Sequence, residues 1–466
     1  MAGNRQKSPR ETAAPKPSTA SEVTNASATG GFAPTRRQAL FGLAAAGAAT
    51  GLSLNASREA QARSASSAHI VIAGAGAGGL TAASQLSRRM PNARITIIDR
   101  QEHHYFQPGY TLIGSGVWRE GQVIDSTERF LPANVDWVRA DIAEFDPEGN
   151  RVVTSTGQDI AYDFLIVAIG VHLDYEAVEG MERGLIGSHG IASIYAGPGE
   201  AATSWRLMEE FIENGGQGHF GRPASEMKCA GAPLKFALLT EDRLTTRGRR
   251  DGAELHYHAH NQGLFAVTPV NEKVRQIFEN RGINARYEHV IHAVDPGNKR
   301  VTYRTPDGLA EFDYDFIHLV PPMRAPDAIV DSPLPWQDGP FAADSWLEVD
   351  MHNLQHRRYP NIFGIGDING VPRGKTAASV KWQAPVAVTN LIDVIEGREM
   401  SASYNGYTSC PLVTRVGTAM LVEFDYDGNL TPSFPFIDPL QESWVSWVIE
   451  EKALLPTYNA MLRGYA

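Results

Sequence analysis

Three glycines and one acidic residue early in the chain have the spacing of a phosphate-binding turn. Gly74, Gly76 and Gly79 follow the pattern G-x-G-x-x-G, and Asp99 comes twenty residues after the last glycine. In such a turn the first glycine permits a tight bend and the second lets backbone N–H groups approach a pyrophosphate. The third lets a helix pack closely on its strand. The Asp99 carboxylate would accept hydrogen bonds from a ribose, so we predict a dinucleotide site here.

The elements that must hold this turn are present on both sides of it. The run HIVIA at 69–73 is apolar and rich in β-branched residues, as a buried parallel strand requires. Residues 80–89 have helical periodicity, and a second strand is predicted at 94–98. The N-terminus of the helix would offer unpaired N–H groups and a positive dipole to the phosphates. Because these elements follow in order, the pattern favours a nucleotide-binding unit over an isolated glycine-rich loop.

A second glycine and acid pair lies far along the chain. A strand predicted at 362–365 leads into Gly366 and Asp367, and a helix is predicted over 374–395. Gly366 would allow a close turn, Asp367 would direct a carboxylate at the ligand, and the helix N-terminus would stabilise negative charge on it. A flavin's ribityl chain and pyrophosphate need such groups. Two nucleotide-contacting segments separated by an inserted unit therefore favour FAD over NAD.

Thiol chemistry in this chain depends on two cysteines, Cys229 and Cys410. Cys229 opens the turn CAGAP ahead of a predicted helix, with Lys228 and Lys235 near it. The helix N-terminus and these lysines would lower the pKa of the thiol and make it a nucleophile; the alternative is an inert thiol. The turn occupies the place where a second dinucleotide would bind. Pro233 lacks an N–H there, which argues against NAD(P)H.

Composition limits the remaining function classes. The 466 residues are 42% hydrophobic and 20% charged, as in ordinary globular proteins. A formal net charge of −11 argues against nucleic acid as a partner. The histidines at 103–104 and 256–260 lack a matching set of cysteines and carboxylates, so we predict no metal site.

Residues 1–62 are predicted to be a leader for export by the twin-arginine route. Arg36 and Arg37 precede a mildly apolar Ala/Gly stretch that is too short to span a bilayer, and small residues for cleavage lie at 60–62. The alternative is a disordered tail with an incidental arginine pair. Twin-arginine export carries folded proteins with their cofactors. The expected mature protein is periplasmic and begins near Arg63.

Strand and helix patterns alternate along the rest of the chain, which predicts an α/β fold with two Rossmann-like, doubly wound domains and a C-terminal segment. The expected divisions after the leader are a first FAD-binding part at 63–175, a second Rossmann-like domain at 176–325, the return of the FAD-binding domain at 326–395, and a C-terminal hairpin and amphipathic segment at 396–466.

The end of the chain is rich in large apolar residues at near-helical spacing. Trp444, Trp447, Tyr458 and Met461 belong to this pattern, which we expect to break at Pro456. Trp and Tyr with scattered charges suit a helix lying flat at a membrane interface. The pattern suits equally a helix packed on the flavin domain or on a second copy of the chain, so a homo-oligomer stays open.

Several strings of the sequence together resemble the sulfide:quinone oxidoreductases, in the branch that includes the mitochondrial enzymes. The strings are HHYFQPGYTLIGSG, KCAGAP, HLVPPM, LQHRRYPNIFGIGD, GKTAA, GYTSCPLVT and MLRGY. The resemblance implies a disulfide-reductase-like flavoprotein fold, FAD as cofactor, sulfide and quinone as substrates, and association with a membrane surface from one side.

The resemblance also implies which residues form the site. It makes Cys229 the catalytic cysteine. In the family a second redox cysteine directly follows the Gly-Asp of the second FAD motif, but this chain has Ile368 there. A sulfur bridge between those two positions is therefore impossible. The implied FAD contacts are Gly74, Gly76, Gly79, Asp99, Gln107, Gly366, Asp367 and Lys375.

The departure at Ile368 leaves the sulfur chemistry open. In the usual cycle of the family, sulfide attacks a protein disulfide to form a persulfide and free a thiolate. Here Cys229 alone would carry the persulfide. Cys410 belongs to a string that the family carries apart from its redox pair, so it is either a substitute partner or a buried structural thiol.

We therefore expect an FAD-dependent oxidoreductase that oxidises sulfide or a related reduced sulfur compound and reduces a membrane quinone. One alternative is the flavin subunit of a flavocytochrome c sulfide dehydrogenase, which would pass electrons to a c-type cytochrome. The other is a flavoprotein that lost sulfide turnover together with the second cysteine.

Overall fold

The computed structural model describes residues 64–465, so the predicted leader at 1–62 and the expected start near Arg63 lie outside the described residues. The strands of the described part are β1 (His69–Ala73), β2 (Arg94–Ile98), β3 (His103–Tyr105), β4 (Ile124–Ser126), β5 (Val135–Val138), β6 (Ile142–Asp146), β7 (Arg151–Thr154), β8 (Asp159–Ala161), β9 (Phe164–Val167), β10 (His172–Leu173), β11 (Ile191–Ala192), β12 (Gly216–Gly221), β13 (Ala253–His258), β14 (Ile283–Arg286), β15 (Val290–Asp295), β16 (Arg300–Thr305), β17 (Gly308–Asp313), β18 (Phe316–His318), β19 (Met323–Arg324), β20 (Ile362–Gly364), β21 (Thr408–Arg415) and β22 (Thr418–Phe424).

The helices of the same part pack against these strands. They are α1 (Ala77–Arg89), α2 (Tyr110–Gly114), α3 (Pro198–Asn214), α4 (Ala232–Thr246), α5 (Thr268–Arg281), α6 (Asp327–Val330), α7 (Ala377–Ile395), α8 (Trp444–Val448) and α9 (Leu454–Leu462). Within residues 64–465 no helix has both the length and the apolar character needed to cross a bilayer.

The first sheet has five parallel strands in the order β20-β9-β1-β2-β5. Its central strand β1 pairs with β2 and β9 and lies in the main core, because the β-branched residues of HIVIA fill both faces of the sheet. The strands predicted at 69–73 and 94–98 have the predicted bounds. Strand β20 joins this sheet from far along the chain, so two distant segments end at one sheet edge.

The second sheet also has five parallel strands, in the order β11-β18-β12-β13-β14. Helices α4 and α5 connect its strands by the strand–helix–strand crossovers that parallel pairing requires. Antiparallel sheets of three strands, β6-β7-β8 and β15-β16-β17, extend from the two parallel sheets. The predicted α/β fold class with two Rossmann-like sheets is confirmed.

The C-terminal segment begins with a hairpin in which β21 and β22 pair antiparallel. Strand β21 packs against α4, and α8 packs against β22. The hairpin therefore lies between the second parallel sheet's helix α4 and the last helical segment of the chain.

The last helical segment does not break at Pro456, contrary to the sequence-based expectation. Helix α8 continues through a π-helical turn at Ile449–Ala453 into α9, and Pro456 lies in the first turn of α9. Proline lacks an N–H and crowds the carbonyl four residues before it, which here is that of Lys452. The wider π turn just before the proline accommodates this defect without a break.

The buried face of this segment packs on the first Rossmann-like unit. The Tyr458 hydroxyl lies 2.7 Å from Nε2 of His104, and the Ser84 hydroxyl donates to the Leu462 carbonyl at 2.7 Å. Trp447 is also buried in the main core. Packing within the chain accounts for these apolar residues.

Candidate functional site

The glycine turn after β1 leaves no room for side chains at two of its three glycines. Gly74 has a φ of +99°, and a Cβ there would lie 2.6 Å from the Ala168 carbonyl oxygen. A Cβ at Gly79 would lie 1.8 Å from the Gly74 carbonyl oxygen. The nearest atom to a Cβ at Gly76 would be 4.0 Å away. Gly76 is thus not required by the protein's own packing, which fits a position kept bare for a ligand.

Asp99, at the end of β2, is held beside this turn by backbone donors. Its two carboxylate oxygens accept the N–H groups of Ala75 at 2.7 Å and of Gln101 at 2.8 Å. Burial raises the pKa of Asp99, and these two hydrogen bonds oppose that shift. Each oxygen keeps a lone pair for a further donor, so the group fits the predicted contact with a ribose.

The second acidic segment follows β20 at the same edge of the first sheet. Gly366 has a φ of +88°, and its N–H donates to Gln383 Oε1 at 2.7 Å. Burial raises the pKa of Asp367, while Lys228 and Lys375 oppose the shift. Asp367 is therefore a partly buried acid that follows β20. Such a carboxylate fits the polar part of a flavin.

The Lys375 side chain is held in place by contacts within the protein. Its ammonium donates to the carbonyls of Asp367 and Asn369, both at 2.7 Å, and lies 3.6 Å from the centre of the Trp346 ring. Burial lowers the pKa of Lys375 to about 8. Its backbone also contacts the turn at residues 228–233, which we call the thiol turn. The Cys229 N–H donates to the Lys375 carbonyl at 2.8 Å.

Gln107 connects to the same turn through its side chain. The Lys228 ammonium donates to Gln107 Oε1 at 2.8 Å. The residues predicted to contact FAD thus lie at the ends of β1, β2 and β20 and in the segment after β3, and two of them contact the thiol turn. The glycine turn, the backbone-held acid and the buried Asp367 fit FAD; its contacts with individual residues stay predictions.

The backbone of Cys229 is fixed on three sides. Besides the hydrogen bond to Lys375, the Cys229 carbonyl accepts the Tyr195 hydroxyl at 3.0 Å and the Ala232 N–H at 2.9 Å. Cys229 has a φ of +48°, which is uncommon for a residue with a side chain. Cys229 as a residue is half-buried, and these bonds hold its backbone in place.

Cys410 on β21 lies directly beside Cys229. A Cβ on Gly231 would be 2.2 Å from the Cys410 sulfur, and the two thiols are hydrogen-bonded to each other. This hydrogen bond and the charge of Lys235 lower the pKa of Cys229. The same bond and burial raise the pKa of Cys410, whose exposed fraction is 5%. The pair therefore consists of a half-buried cysteine with a lowered pKa and a buried cysteine with a raised pKa.

A buried ion pair completes this arrangement. Lys235 Nζ lies 3.7 Å from Glu450 Oε1, and both side chains are 3% exposed. Burial would lower the pKa of Lys235, but Cys229 and Glu450 together raise it. Burial raises the pKa of Glu450 to about 7. Among residues 64–465, Glu450 Oε2 has no hydrogen-bond partner. We call Cys229, Cys410, Lys235 and Glu450 the thiol cluster.

Sequence reasoning found Cys229 and its lysines but missed the rest of the cluster. Cys410 was left between a substitute partner and a structural thiol, and Glu450 was not considered. A signal for Glu450 exists, since it lies three residues after the buried Trp447 and shares its helix face. An acid on the buried face of a helix needs a cationic partner, which here is Lys235.

Ile368 is a core residue of this protein. It follows Asp367, but its side chain is 0% exposed and belongs to the main core. The position at which the resemblance places a second redox cysteine thus holds an aliphatic side chain packed inside the protein.

A separate polar group lies in β10 and the residues after it. Ligand atoms of His172, Asp174 and Glu176 lie within 4.8 Å of one another. The Asp174 carboxylate already pairs with Arg324 at 3.1 Å. The group is distant in sequence from the residues of the thiol cluster.

Comparisons with known proteins agree with the geometry. The family described as pyridine nucleotide-disulphide oxidoreductase matches residues 68–194. The mitochondrial sulfide:quinone oxidoreductase of Mus musculus is 33% identical over 395 residues, covering 84% of this chain and 85% of the relative. That of Dictyostelium discoideum is 34% identical over 394 residues, covering 83% and 84%.

The chain belongs to the sulfide:quinone oxidoreductase family. The solved structure of the sulfide:quinone oxidoreductase from Aquifex aeolicus has the same fold, with a TM-score of 0.70 at 20% identity over 84% of this chain and 92% of that chain. This member of the family is accordingly an FAD-dependent oxidoreductase of the sulfide:quinone type. Its thiol cluster lies beside two of the residues predicted to contact FAD, Lys375 and Gln107.

Proposed function

We propose that this protein oxidises sulfide at Cys229 and passes the electrons through its flavin to a membrane quinone. The observation that carries the proposal is the position of an activated, half-buried thiol next to the two FAD-binding segments. When bound, FAD supplies a two-electron acceptor. The curated relatives of this chain are named for sulfide and quinone, which supports these two substrates.

The chain's own residues supply the remaining requirements. The backbone contacts of Cys229 hold its sulfur in place, and the lowered pKa makes it a thiolate near neutral pH. Lys235 stabilises negative charge on sulfur. Glu450, with a pKa near neutrality, holds or releases a proton beside Lys235 as sulfur groups change charge.

An exposed patch of aromatic side chains supports binding to a membrane surface. Phe436 is 77% exposed and Trp382 is 50% exposed. The Trp382 ring lies 5.2 Å from that of Tyr407, whose hydroxyl is 3.4 Å from that of Ser433, and Phe434 contacts Phe436. We define Trp382, Tyr407, Phe434 and Phe436 as the aromatic patch. Aromatic groups with polar tips are favourable at lipid headgroups, which places a quinone source next to the protein.

The arginine pair at 36–37 and the small residues at 60–62 support export to the periplasm. We therefore propose a periplasmic protein that binds the membrane peripherally. Fractionation of cells producing the full chain, with an Arg36→Lys and Arg37→Lys variant as control, tests this location. Wild-type protein in the cytoplasmic fraction alone would contradict it.

The test of the reaction is anaerobic. Sulfide is added to the purified flavin-containing protein, and the absorbance of oxidised flavin is followed before and after addition of a short-chain quinone. We expect rapid bleaching and then recovery that depends on quinone. Flavin that sulfide leaves unbleached would contradict the proposal and support the loss of sulfide turnover. Recovery with a c-type cytochrome but not with quinone would support the flavocytochrome alternative.

The membrane part of the proposal has its own test. A Trp382→Ser and Phe436→Ser variant should sediment less with lipid vesicles while keeping its rate with a short-chain quinone, because the patch is separate from the thiol cluster. Equal sedimentation of variant and wild type would remove the aromatic patch from membrane binding.

A further inference from the structure

We propose that Cys229 and Cys410 form a reversible disulfide and act as the redox pair of this protein, in place of the pair that Ile368 makes impossible. The inference rests on the proposed function, because it takes sulfide as the nucleophile that opens the disulfide. It assigns a catalytic role to Cys410, which sequence reasoning left open.

The packing around Gly231 places the Cys410 sulfur against the turn that carries Cys229, whose thiol is hydrogen-bonded to it. Gly231 has a φ of −84°, which any residue can adopt, so its backbone does not need glycine. A Cβ there would lie 2.2 Å from the Cys410 sulfur, so any side chain would have to displace that sulfur. Gly231 lies two residues after Cys229, and the absence of a side chain gives Cys410 access to the thiol turn.

The two sulfur atoms also differ in the way that a reactive disulfide requires. Cys229 is half-buried, whereas Cys410 is buried in β21. A nucleophile from solvent would therefore attack Cys229. Cys410 would leave as a thiolate close to Lys235, whose positive charge stabilises it. Glu450 keeps this lysine charged and buried.

The steps balance as follows. Hydrosulfide forms a bond to the Cys229 sulfur, the Cys229–Cys410 bond breaks, and its electron pair leaves on Cys410; the sulfide sulfur is oxidised and the disulfide is reduced. A second hydrosulfide then takes the outer sulfur of the persulfide as hydrodisulfide and leaves Cys229 as a thiol. Re-forming the disulfide releases two electrons, which an oxidant of the quinone class accepts with two protons.

The chain offers an unambiguous assay, because Cys229 and Cys410 are its only cysteines. The flavin-containing protein is treated anaerobically with short-chain quinone, denatured, alkylated and weighed by mass spectrometry. We expect wild type to carry no alkyl groups after quinone and two after a general reductant. Cys410→Ser should carry one in both states. Two alkyl groups on quinone-treated wild type would overturn the inference.

A second arm follows the sulfur. Oxidised wild type treated with sulfide should gain one sulfur atom on the peptide containing Cys229 and a free thiol at Cys410. Cys410→Ser should gain none under the same conditions. A persulfide on Cys229 in Cys410→Ser would show that Cys229 acts without this partner and would overturn the inference.

The Gly231→Ala variant tests whether the disulfide requires the two thiols to lie close together or only requires both thiols to be present. It keeps both cysteines but pushes the Cys410 sulfur away, so disulfide formation should slow by roughly tenfold or more, because disulfide geometry is narrow. Gly121→Ala is the matched control, since its added Cβ meets nothing within 4 Å. Equal rates in the two variants would contradict the inference.

The outcomes also separate this inference from the proposed function. A disulfide that forms with quinone but is not opened by sulfide would refute sulfide as the substrate while leaving the redox pair intact. Flavin bleaching by sulfide at full rate in Cys410→Ser would preserve the proposed function and overturn the pair.

Discussion

The two parallel sheets end in turns at corresponding places that differ in length and in chemistry. Three residues, 74–76, separate β1 from α1, whereas residues 222–231 separate β12 from α4. The short turn presents bare backbone beside Asp99. The long one carries a cysteine at positive φ next to a second cysteine and a buried ion pair.

The comparison shows how one topology serves two purposes. A tight turn leaves backbone N–H groups at a helix N-terminus as the main polar feature, which suits phosphate. A longer loop can place a side chain among other side chains, and here Cys410 and Lys235 lower the pKa of the Cys229 thiol. Backbone contacts therefore restrict which residues the first turn can hold, whereas contacts between side chains restrict those of the second turn. The following changes test that difference.

The largest expected effect is that of an added methyl group in the first turn. Gly79→Ala places a Cβ 1.8 Å from a backbone carbonyl that cannot move away, at a cost of about 3 kcal/mol in stability. We expect protein that has lost its flavin, measured by the ratio of flavin to protein absorbance. Gly231→Ala meets only a cysteine side chain and should keep its flavin. Equal flavin contents in the two variants would contradict the comparison.

The next effect concerns the reactivity of the second turn. Lys235→Met removes a charge that lowers the pKa of Cys229, so the thiolate fraction at neutral pH should fall by about tenfold for each unit of pKa increase. The measurement is the alkylation rate of Cys229 as a function of pH. Lys452→Met, at an exposed lysine, is the control. An unchanged pH profile in Lys235→Met would show that this charge does not act on the thiol.

Glu450 should make stability depend on pH. Burial raises its pKa to about 7 from an ordinary 4.5, so between these values the folded protein holds a proton that the unfolded chain has lost. The free energy of unfolding therefore falls as pH rises through this window, by about 3 kcal/mol in total. Glu450→Gln should remove this part of the slope of Tm against pH. If Tm changed with pH in the same way in the variant and the wild type, the raised pKa of Glu450 would be refuted.

The smallest effect is expected at the position that the family gives to a cysteine. Ile368→Cys removes part of a fully buried side chain, which should cost about 1–2 kcal/mol and lower Tm by a few degrees. The new thiol should not react with alkylating reagents in the folded protein. A third thiol that reacts as fast as Cys229 would show that position 368 reaches the site.

Sequence reasoning was most accurate where the signal is local. The strands at 69–73 and 94–98 have their predicted bounds because buried parallel strands need continuous β-branched runs. The start of α1 was placed at residue 80, but the helix begins at Ala77. Gly78 and Gly79 are poor helix formers, yet a Cβ at Gly78 would meet Ile365 and one at Gly79 would meet Gly74, so close packing requires both in the first turn.

The thiol cluster could not be assembled from local signals. Cys410 reaches Cys229 because β21 packs on α4, a contact between segments that are far apart in sequence. Glu450 shares the buried face of Trp447, but its partner Lys235 lies 215 residues earlier in the chain. Pro456 suggested a break in the helix because the sequence pattern does not reveal the π turn at Ile449–Ala453 that accommodates the proline.

The order of the cluster along the chain has a consequence for biosynthesis. Glu450 is the last of the four residues to leave the ribosome, more than two hundred residues after Cys229. At synthesis rates of about 5–20 residues per second, Glu450 is synthesised tens of seconds after Cys229. Lys235 therefore leaves the ribosome long before the carboxylate that pairs with it in the folded protein.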